Sequence, residues 1–207
     1  MTVTLAALSG RDRAAVLNAV VAVEEAVDPV AAEQFQALAD PALRHLVEES
    51  LLGAGRTLVR VGKAHWTSGY DDKIADRLAK EGIGVLAPVD AAVLTLVLIH
   101  SVAIPAARGM VDSNDWSSEQ LPAPDVVTLA ANRDRRLNES AIRASLRRLR
   151  DAGILRSGLR SKLRPGPQFR RLTEARSRMV WENLVVATAP QSNLARAIHR
   201  RRGDVHE

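Results

Sequence analysis

Residues 138–155 read NESAIRASLRRLRDAGIL, and this stretch carries the pattern that decides the fold. Asn138 or Ser140 can cap a helix over Glu139–Ala152, and Gly153 can end it. The apolar side chains of this helix recur at helical spacing on one face: Ile142, Leu146 and Leu149. A capped amphipathic helix that turns through glycine into a strand is typical of the recognition helix and wing of a winged-helix domain.

The residues after this helix predict the wing. Ile154–Arg156 and Phe169–Leu172 are strand candidates, joined by SGLRSKLRPGPQ, whose Pro-Gly-Pro marks a turn. A closing helix is expected from Thr173 to about Val186.

The same order of elements is predicted earlier in the chain. Asp28-Pro29 and Asp40-Pro41 both look like helix starts, because proline suits the first helical turn. The expected elements before the recognition helix are helices at Arg11–Ala26, Asp28–Leu38 and from Asp40-Pro41, a hairpin of Arg56–Val61 with Ala64–Ser68, helices at Gly69–Lys80 and Asp90–Val102, a polar loop Arg108–Pro124 and a helix Asp125–Asn132.

This order predicts a mainly α protein with short β-hairpin wings, made of two winged-helix units in tandem. We expect the first unit at residues 1–82 and the second at residues 83–187, with a loop at 108–124. Residues 188–207 are expected to form a basic tail.

The charge of the chain is divided by position. The net charge is +5, but residues 133–202 contain 19 Lys and Arg against 5 Asp and Glu, whereas residues 1–132 contain 10 against 17. Lys162 is the one lysine in the basic part. Arginine presents a planar set of donors that fits phosphate oxygens and guanine edges. The basic part therefore indicates a polyanionic partner, most simply double-stranded DNA.

The predicted DNA-binding residues come from the recognition helix, the segment before it and the wing. They are Arg135, Arg136, Arg143, Arg147, Arg148, Arg150, Arg156, Arg160, Lys162, Arg164 and Arg170. The alternative is that RRLR is only the solvated face of a helix, because arginine is a good helix former.

The first unit differs in charge. Its third helix has Glu48 and Glu49 where the second unit has Arg147 and Arg148, and these carboxylates would repel phosphate. We expect this unit to bind protein or to form a homodimer. Trp116, in the polar loop, is a candidate anchor for a protein partner, with packing as the alternative.

Catalytic and cofactor chemistry find no support in the pattern. The chain has no cysteine, no Gly-rich phosphate loop and no histidine pair at metal-binding spacing, so we expect no enzyme activity, no cofactor and no metal. The opening residues lack the layout of a secretory signal, and the longest apolar run, Ala91–Ile99, is shorter than the roughly 20 residues that span a bilayer. We expect a cytoplasmic, nucleoid-associated protein without a membrane segment.

The two-unit plan resembles the kite family, the tandem winged-helix partners of bacterial SMC complexes. The similarity is architectural, over about residues 8–187, and is closest to the small kite subunits of MukBEF-like and Wadjet-type systems. It is carried by DAAVLTLVLIHSVAI, which opens the second unit, and by LRRLRDAGIL and FRRLT, which close it.

The resemblance implies a dimeric accessory subunit that binds a kleisin-like protein within a condensin-like SMC ATPase assembly, in chromosome maintenance or anti-plasmid defence. Many winged-helix regulators share the closing pattern. The alternative function is therefore a stand-alone transcriptional regulator or plasmid replication initiator.

Overall fold

The computed structural model describes residues 5–110, 116, 124–131, 137–158 and 162–203. It is mainly helical, with one three-stranded and one two-stranded antiparallel sheet. The chain divides into two compact units. The first contains residues 1–84 and 170–174, and the second contains residues 85–169 and 175–207.

The first unit consists of helices followed by a hairpin and a further helix. Its elements are α1 (Gly10–Glu25), β1 (Val30–Ala31), a 3-10 turn (Ala32–Gln34), α2 (Gln36–Ala39), α3 (Pro41–Gly53), β2 (Arg56–Val61), β3 (His65–Tyr70) and α4 (Asp72–Lys80). The hairpin turns at Gly62, whose φ of 63° favours glycine. The strand order is β1-β3-β2.

One of the two helix-start patterns was read correctly. The Asp40 carboxylate accepts from the Ala42 backbone N–H at 2.8 Å and caps α3. The helix expected from Asp28-Pro29 to Leu38 was wrong. Val30–Ala31 is a strand paired with Trp66 and His65 of β3, so pairing within the sheet prevails over the local start signal.

Buried aliphatic side chains of α1, α2 and α3 form the core of the first unit, with Val16, Val23, Leu38, Val47 and Leu51 at its centre. Leu58 and Trp66 of the hairpin pack against them. The unit is therefore a three-helix cluster closed by a sheet, an arrangement that is winged-helix-like.

Residues 170–174 also belong to the first unit. The Arg171 guanidinium donates to the backbone oxygens of Glu24 (3.0 Å), Ala26 (2.7 Å) and Ser68 (3.1 Å). It donates to carbonyl groups at the end of α1, which have no backbone N–H partner because the helix does not continue. Burial, and then the neighbouring Arg56, lower the pKa of Arg171, while Glu24 acts in the opposite direction.

The second unit repeats the order of helices and a hairpin. Its elements are α5 (Pro88–Leu98), a π-helical turn (Ile99–Ala103), α6 (Ile104–Ala107), α7 (Val126–Ala130), α8 (Glu139–Asp151), β4 (Leu155–Ser157), β5 (Leu163–Pro165), a 3-10 turn (Pro167–Arg171) that continues into the first unit, α9 (Glu174–Thr188) and α10 (Asn193–Gly203). Gly153, with φ of 67°, turns the chain from α8 into β4.

The core of the second unit lies between α5, α7, α8 and the hairpin, and includes Val93, Val97, Leu129, Ile142 and Leu163. The predicted inward face of α8 is confirmed, because Ile142, Leu146 and Leu149 are all buried. The predicted second wing strand, Phe169–Leu172, was wrong. The strand that pairs with β4 is Leu163–Pro165, with Leu155 opposite Pro165, and the segment around Phe169 is a 3-10 turn.

The apolar helix that opens the second unit is longer than the sequence indicated. α5, the π-helical turn and α6 run without a break over Pro88–Ala107, 20 residues that include an 18-residue stretch of mean hydropathy 1.9. By length and composition alone this helix could cross a membrane, which the shorter run Ala91–Ile99 did not suggest. Half of that stretch is buried inside the protein.

Residues 188–207, expected to be a basic tail, contain α10. Ala195 and Ile198 of this helix are buried. The carboxylate of Glu182 on α9, itself 5% exposed, binds both Arg201 and Arg202. These contacts fix α10 within the second unit.

Candidate nucleic-acid interface

The outward face of α8 carries the predicted arginines. While its apolar residues fill the core, the side chains of Arg143, Arg147, Arg148 and Arg150 are exposed. The helix spacing thus places them as the sequence predicted. Their partners within the protein, however, differ from one arginine to the next.

Arg148 is bound to a buried carboxylate. Its Nε and Nη2 donate to the two oxygens of Asp90 at 2.9 and 2.6 Å, and the Asp90 side chain is only 9% exposed. Hydrogen bonds from Arg148 hold the pKa of Asp90 below its usual value and outweigh the effect of burial. The same pair raises the pKa of Arg148. Arg148 therefore helps to attach α8 to α5.

Two other arginines of α8 are engaged locally. Arg143 pairs with Glu139 one turn earlier, with Nη2 and Oε1 2.5 Å apart. Arg150 donates to the backbone oxygen of Leu146 at 3.1 Å and to the Ser157 hydroxyl at 3.1 Å. Both guanidiniums remain exposed, and exposed pairs of this kind contribute little to stability. They can exchange these partners for phosphate.

Unlike the other arginines of α8, Arg147 has neither an ion pair nor a side-chain hydrogen bond among the described residues. Together with Arg143 it lines a shallow groove on the first turns of the helix, whose other lining residues are Glu139, Ser140 and Ala144. Because its guanidinium is exposed and has no partner among the described residues, Arg147 is the residue of α8 best placed for a polyanion.

The wing brings two arginines face to face. Arg156 of β4 is directly opposite Arg164 of β5, while Leu155 and Leu163 are buried on the other side of the hairpin. Opposed residues in an antiparallel pair have Cβ atoms about 5 Å apart, and like charges in these positions repel. Neither guanidinium has a carboxylate partner among the described residues, and Nε of Arg164 is buried without a hydrogen-bond partner. An anion over this face would relieve the repulsion.

Lys162 is exposed and directly precedes β5. Its charge contributes to the lowered pKa of Asp125, which is caused first by hydrogen bonds from Thr128 to that carboxylate. Asp125 also caps α7. Lys162 adds a third positive charge to the wing beside Arg156 and Arg164.

The remaining predicted residues fall elsewhere. Arg135, Arg136 and Arg160 lie outside the described residues. Arg170, expected in the second wing strand, belongs to the first unit, where Nη1 is 3.0 Å from the Asp28 carboxylate. The structure thus groups Arg143, Arg147, Arg148 and Arg150 on α8 and Arg156, Lys162 and Arg164 on the hairpin.

Trp116 is a buried residue, which opposes its interpretation as a partner anchor. Its side chain is 6% exposed, its indole N–H donates to the Ser177 hydroxyl at 2.5 Å, and its ring lies 4.8 Å from that of Phe169. A side chain enclosed in this way cannot serve as an accessible anchor. The packing alternative is the one that the structure supports.

Sequence reasoning missed the role of Asp90 and the position of α10. Asp90 was predicted only as the first residue of the apolar helix Asp90–Val102, and nothing in the pattern linked it to Arg148. A signal for α10 was present, since Ala195, Ile198 and Arg202 are spaced by three and four residues. In the part of the chain that the structure describes, no group of three His, Asp or Glu side chains is arranged to hold a metal ion.

Comparison with models of known protein families gave no match for this chain, and comparison with curated proteins also gave none. The fold and the basic residues together define a class: a tandem, winged-helix-like protein with a cationic helix-and-hairpin surface on its second unit.

Proposed function

We propose that the second unit binds double-stranded DNA without catalysis, with α8 and the β4–β5 hairpin as the contact surface. The observation that carries the proposal is the pair of opposed arginines, Arg156 and Arg164, for which the described residues provide no carboxylate. Arg147 and Lys162 extend this positive charge along the helix and the hairpin.

The partners of the arginines favour contacts with phosphate over extensive base readout. Arg148 is held by Asp90, and Arg150 is directed toward Leu146 and Ser157, which leaves few guanidiniums on α8 for base edges. Phosphate contacts fix a protein on the duplex but carry no direct sequence information. Binding that depends little on sequence is the expected result.

A test measures binding of a labelled duplex by fluorescence anisotropy over a range of salt concentrations. The double variant Arg156→Ser/Arg164→Ser is compared with Arg11→Ser/Arg77→Ser, which removes two exposed charges from the first unit. We expect the wing variant to bind at least about tenfold more weakly, and its log K against log salt slope to fall by about 0.9 for each phosphate that it no longer neutralises. Equal affinities of wild type and wing variant would exclude this surface.

We further propose that the protein acts as a kite-like accessory subunit of an SMC-type ATPase assembly. The support is the contrast between a basic second unit and an acidic first unit whose α1 exposes Leu17 and Val21, 47% and 52% accessible. An apolar outer helix face on an acidic unit suits a protein partner.

The test of this role is co-purification with the kleisin-like and coiled-coil ATPase products of neighbouring genes. The variant Leu17→Ser/Val21→Ser, which removes the exposed apolar face of α1, should lose this co-purification. Selection from random DNA distinguishes the alternative of a stand-alone regulator or replication initiator, because a defined binding motif would support that alternative and oppose the accessory role.

A further inference from the structure

The helix α10 has two faces that differ in how their cations are satisfied. On the inner side, Ala195 and Ile198 are buried, and Arg201 and Arg202 bind Glu182. Arg202 also donates to the Asn183 amide oxygen at 2.9 Å. On the outer side, Arg196, His199 and Arg200 are exposed and are spaced by three and four residues, so they form one stripe.

The outer stripe is not neutralised by described residues. α10 contains no acidic residue, and Glu182 is occupied by the inner arginines. Arg196 donates to the neutral Asn193 amide, and no described carboxylate lies within ion-pair distance of Arg196 or Arg200. Four arginines on this helix therefore share one described carboxylate, which leaves a positive outer surface.

Stabilisation of the helix itself does not explain Arg196. Cations in the last turn of a helix interact favourably with its dipole, which suits Arg200, Arg201 and Arg202. Arg196 is the fourth residue of α10, near the positive end of the dipole, where a cation is unfavourable. Its position is better explained by an external anion.

We propose, on the basis of the DNA binding proposed above, that the outer stripe Arg196–His199–Arg200 of α10 is a further contact surface, on a different element from α8 and the β4–β5 hairpin, that binds the phosphate backbone of the DNA. Arginine suits this ligand because its fork of donors matches two phosphate oxygens. A membrane surface suits it less, because helices that lie on bilayers expose large apolar residues, and the apolar side chains Ala195 and Ile198 of α10 are directed inward.

The experiment uses the full chain and a labelled duplex of random sequence. Arg196→Ser/Arg200→Ser is compared with wild type, with the wing variant Arg156→Ser/Arg164→Ser and with the charge-matched control Arg11→Ser/Arg77→Ser. Thermal unfolding of each variant verifies the fold. We expect the α10 variant to keep the wild-type melting temperature, to bind several-fold more weakly than the control, and to reduce the salt slope by about 0.9 for each phosphate left without its arginine.

The outcomes separate this proposal from the proposed function. A weakened wing variant with an unchanged α10 variant would overturn the second surface and leave the first. Weaker duplex binding by the α10 variant with unchanged binding by the wing variant would overturn the first surface and leave the second. A wild type that does not bind the duplex would overturn both. A parallel assay uses vesicles of phosphatidylcholine and phosphatidylserine. If the α10 variant loses vesicle binding but keeps DNA binding, the surface is a lipid contact and the inference is wrong.

Discussion

Asp90 and Arg148 are joined by two hydrogen bonds, although 58 residues separate them in the chain. The carboxylate is at the first turn of the apolar helix α5, and the guanidinium is on the outer side of α8. A helix that faces solvent is thus held in orientation by the core helix beneath it. Arg148 combines an exposed position with a structural role.

Because only Arg148 is paired with Asp90, substitutions of Arg148 and of its neighbour Arg147 should differ in their effect on stability. We expect Arg148→Glu to lower the melting temperature by several degrees, because it places a second carboxylate beside the buried Asp90. Arg147→Glu should leave the melting temperature within about 1 °C, since exposed substitutions away from partners are nearly neutral. Differential scanning calorimetry compares the two. Equal melting temperatures would show that the Asp90–Arg148 pair is not formed in solution.

The same pair predicts a dependence on pH. The pKa of Asp90 is lower in the folded protein than its ordinary value of 3.8, so its ionised form favours folding. This contribution is complete well above that value and is lost as the pH falls through the lower, folded pKa. The difference in unfolding free energy between wild type and Asp90→Asn should therefore be largest near neutral pH and shrink below about pH 4.

Urea unfolding of both proteins over a series of pH values provides that measurement. Because both proteins keep every other carboxylate, their common acid destabilisation cancels in the difference. A difference that stays constant down to about pH 3 would contradict a stabilising, ionised Asp90.

Trp116 should matter for stability. Trp116→Ala removes a buried ring that contacts Phe169 and Ser177, and we expect a loss of about 3–5 kcal/mol in unfolding free energy. Trp116→Phe keeps the packing, loses the hydrogen bond and should be milder. Chemical denaturation measures both. A fully stable Trp116→Ala protein that fails to bind a partner would restore the anchor interpretation.

Gly69 predicts a steric effect in the first unit. A Cβ at this position would lie 2.0 Å from the backbone oxygen of Arg171, so Gly69→Ala must displace residues 170–174. We expect strong destabilisation or failure to fold. Gly53→Ala is the control, because a Cβ there meets nothing within 4 Å and alanine favours a helix. The melting temperatures of the two variants are measured by circular dichroism. Similar values would contradict the close contact between Gly69 and the Arg171 backbone.

The elements with strong local signals could be predicted from the sequence. The cap of α8, the buried stripe of α8 and the glycine turn at Gly153 all depend on short-range spacing, and the structure contains each of them, with Asn138 as the cap of the two candidates Asn138 and Ser140. The first hairpin was predicted for the same reason, with β2 at the expected bounds. The mainly helical class with short hairpins follows from these elements.

The features that were missed depend on contacts between distant residues. Val30–Ala31 is a strand because β3 is beside it, and a local proline signal cannot show this. From the sequence, Arg148 and Arg170 were interpreted as unpaired cations, because their partners Asp90 and Asp28 are remote in the chain. Charge counted along a sequence gives the sign of a surface, whereas pairing in the fold decides which guanidiniums remain open to a ligand.

Residues 170–174 complete the first unit although they follow most of the second in the chain. During synthesis on a ribosome, the hydrogen bonds from Arg171 to the end of α1 can therefore form only after about 170 residues have been translated. The first unit therefore receives its last segment only after most of the second unit has been synthesised. A gene fragment that stops after residue 84 would encode a first unit without its closing segment.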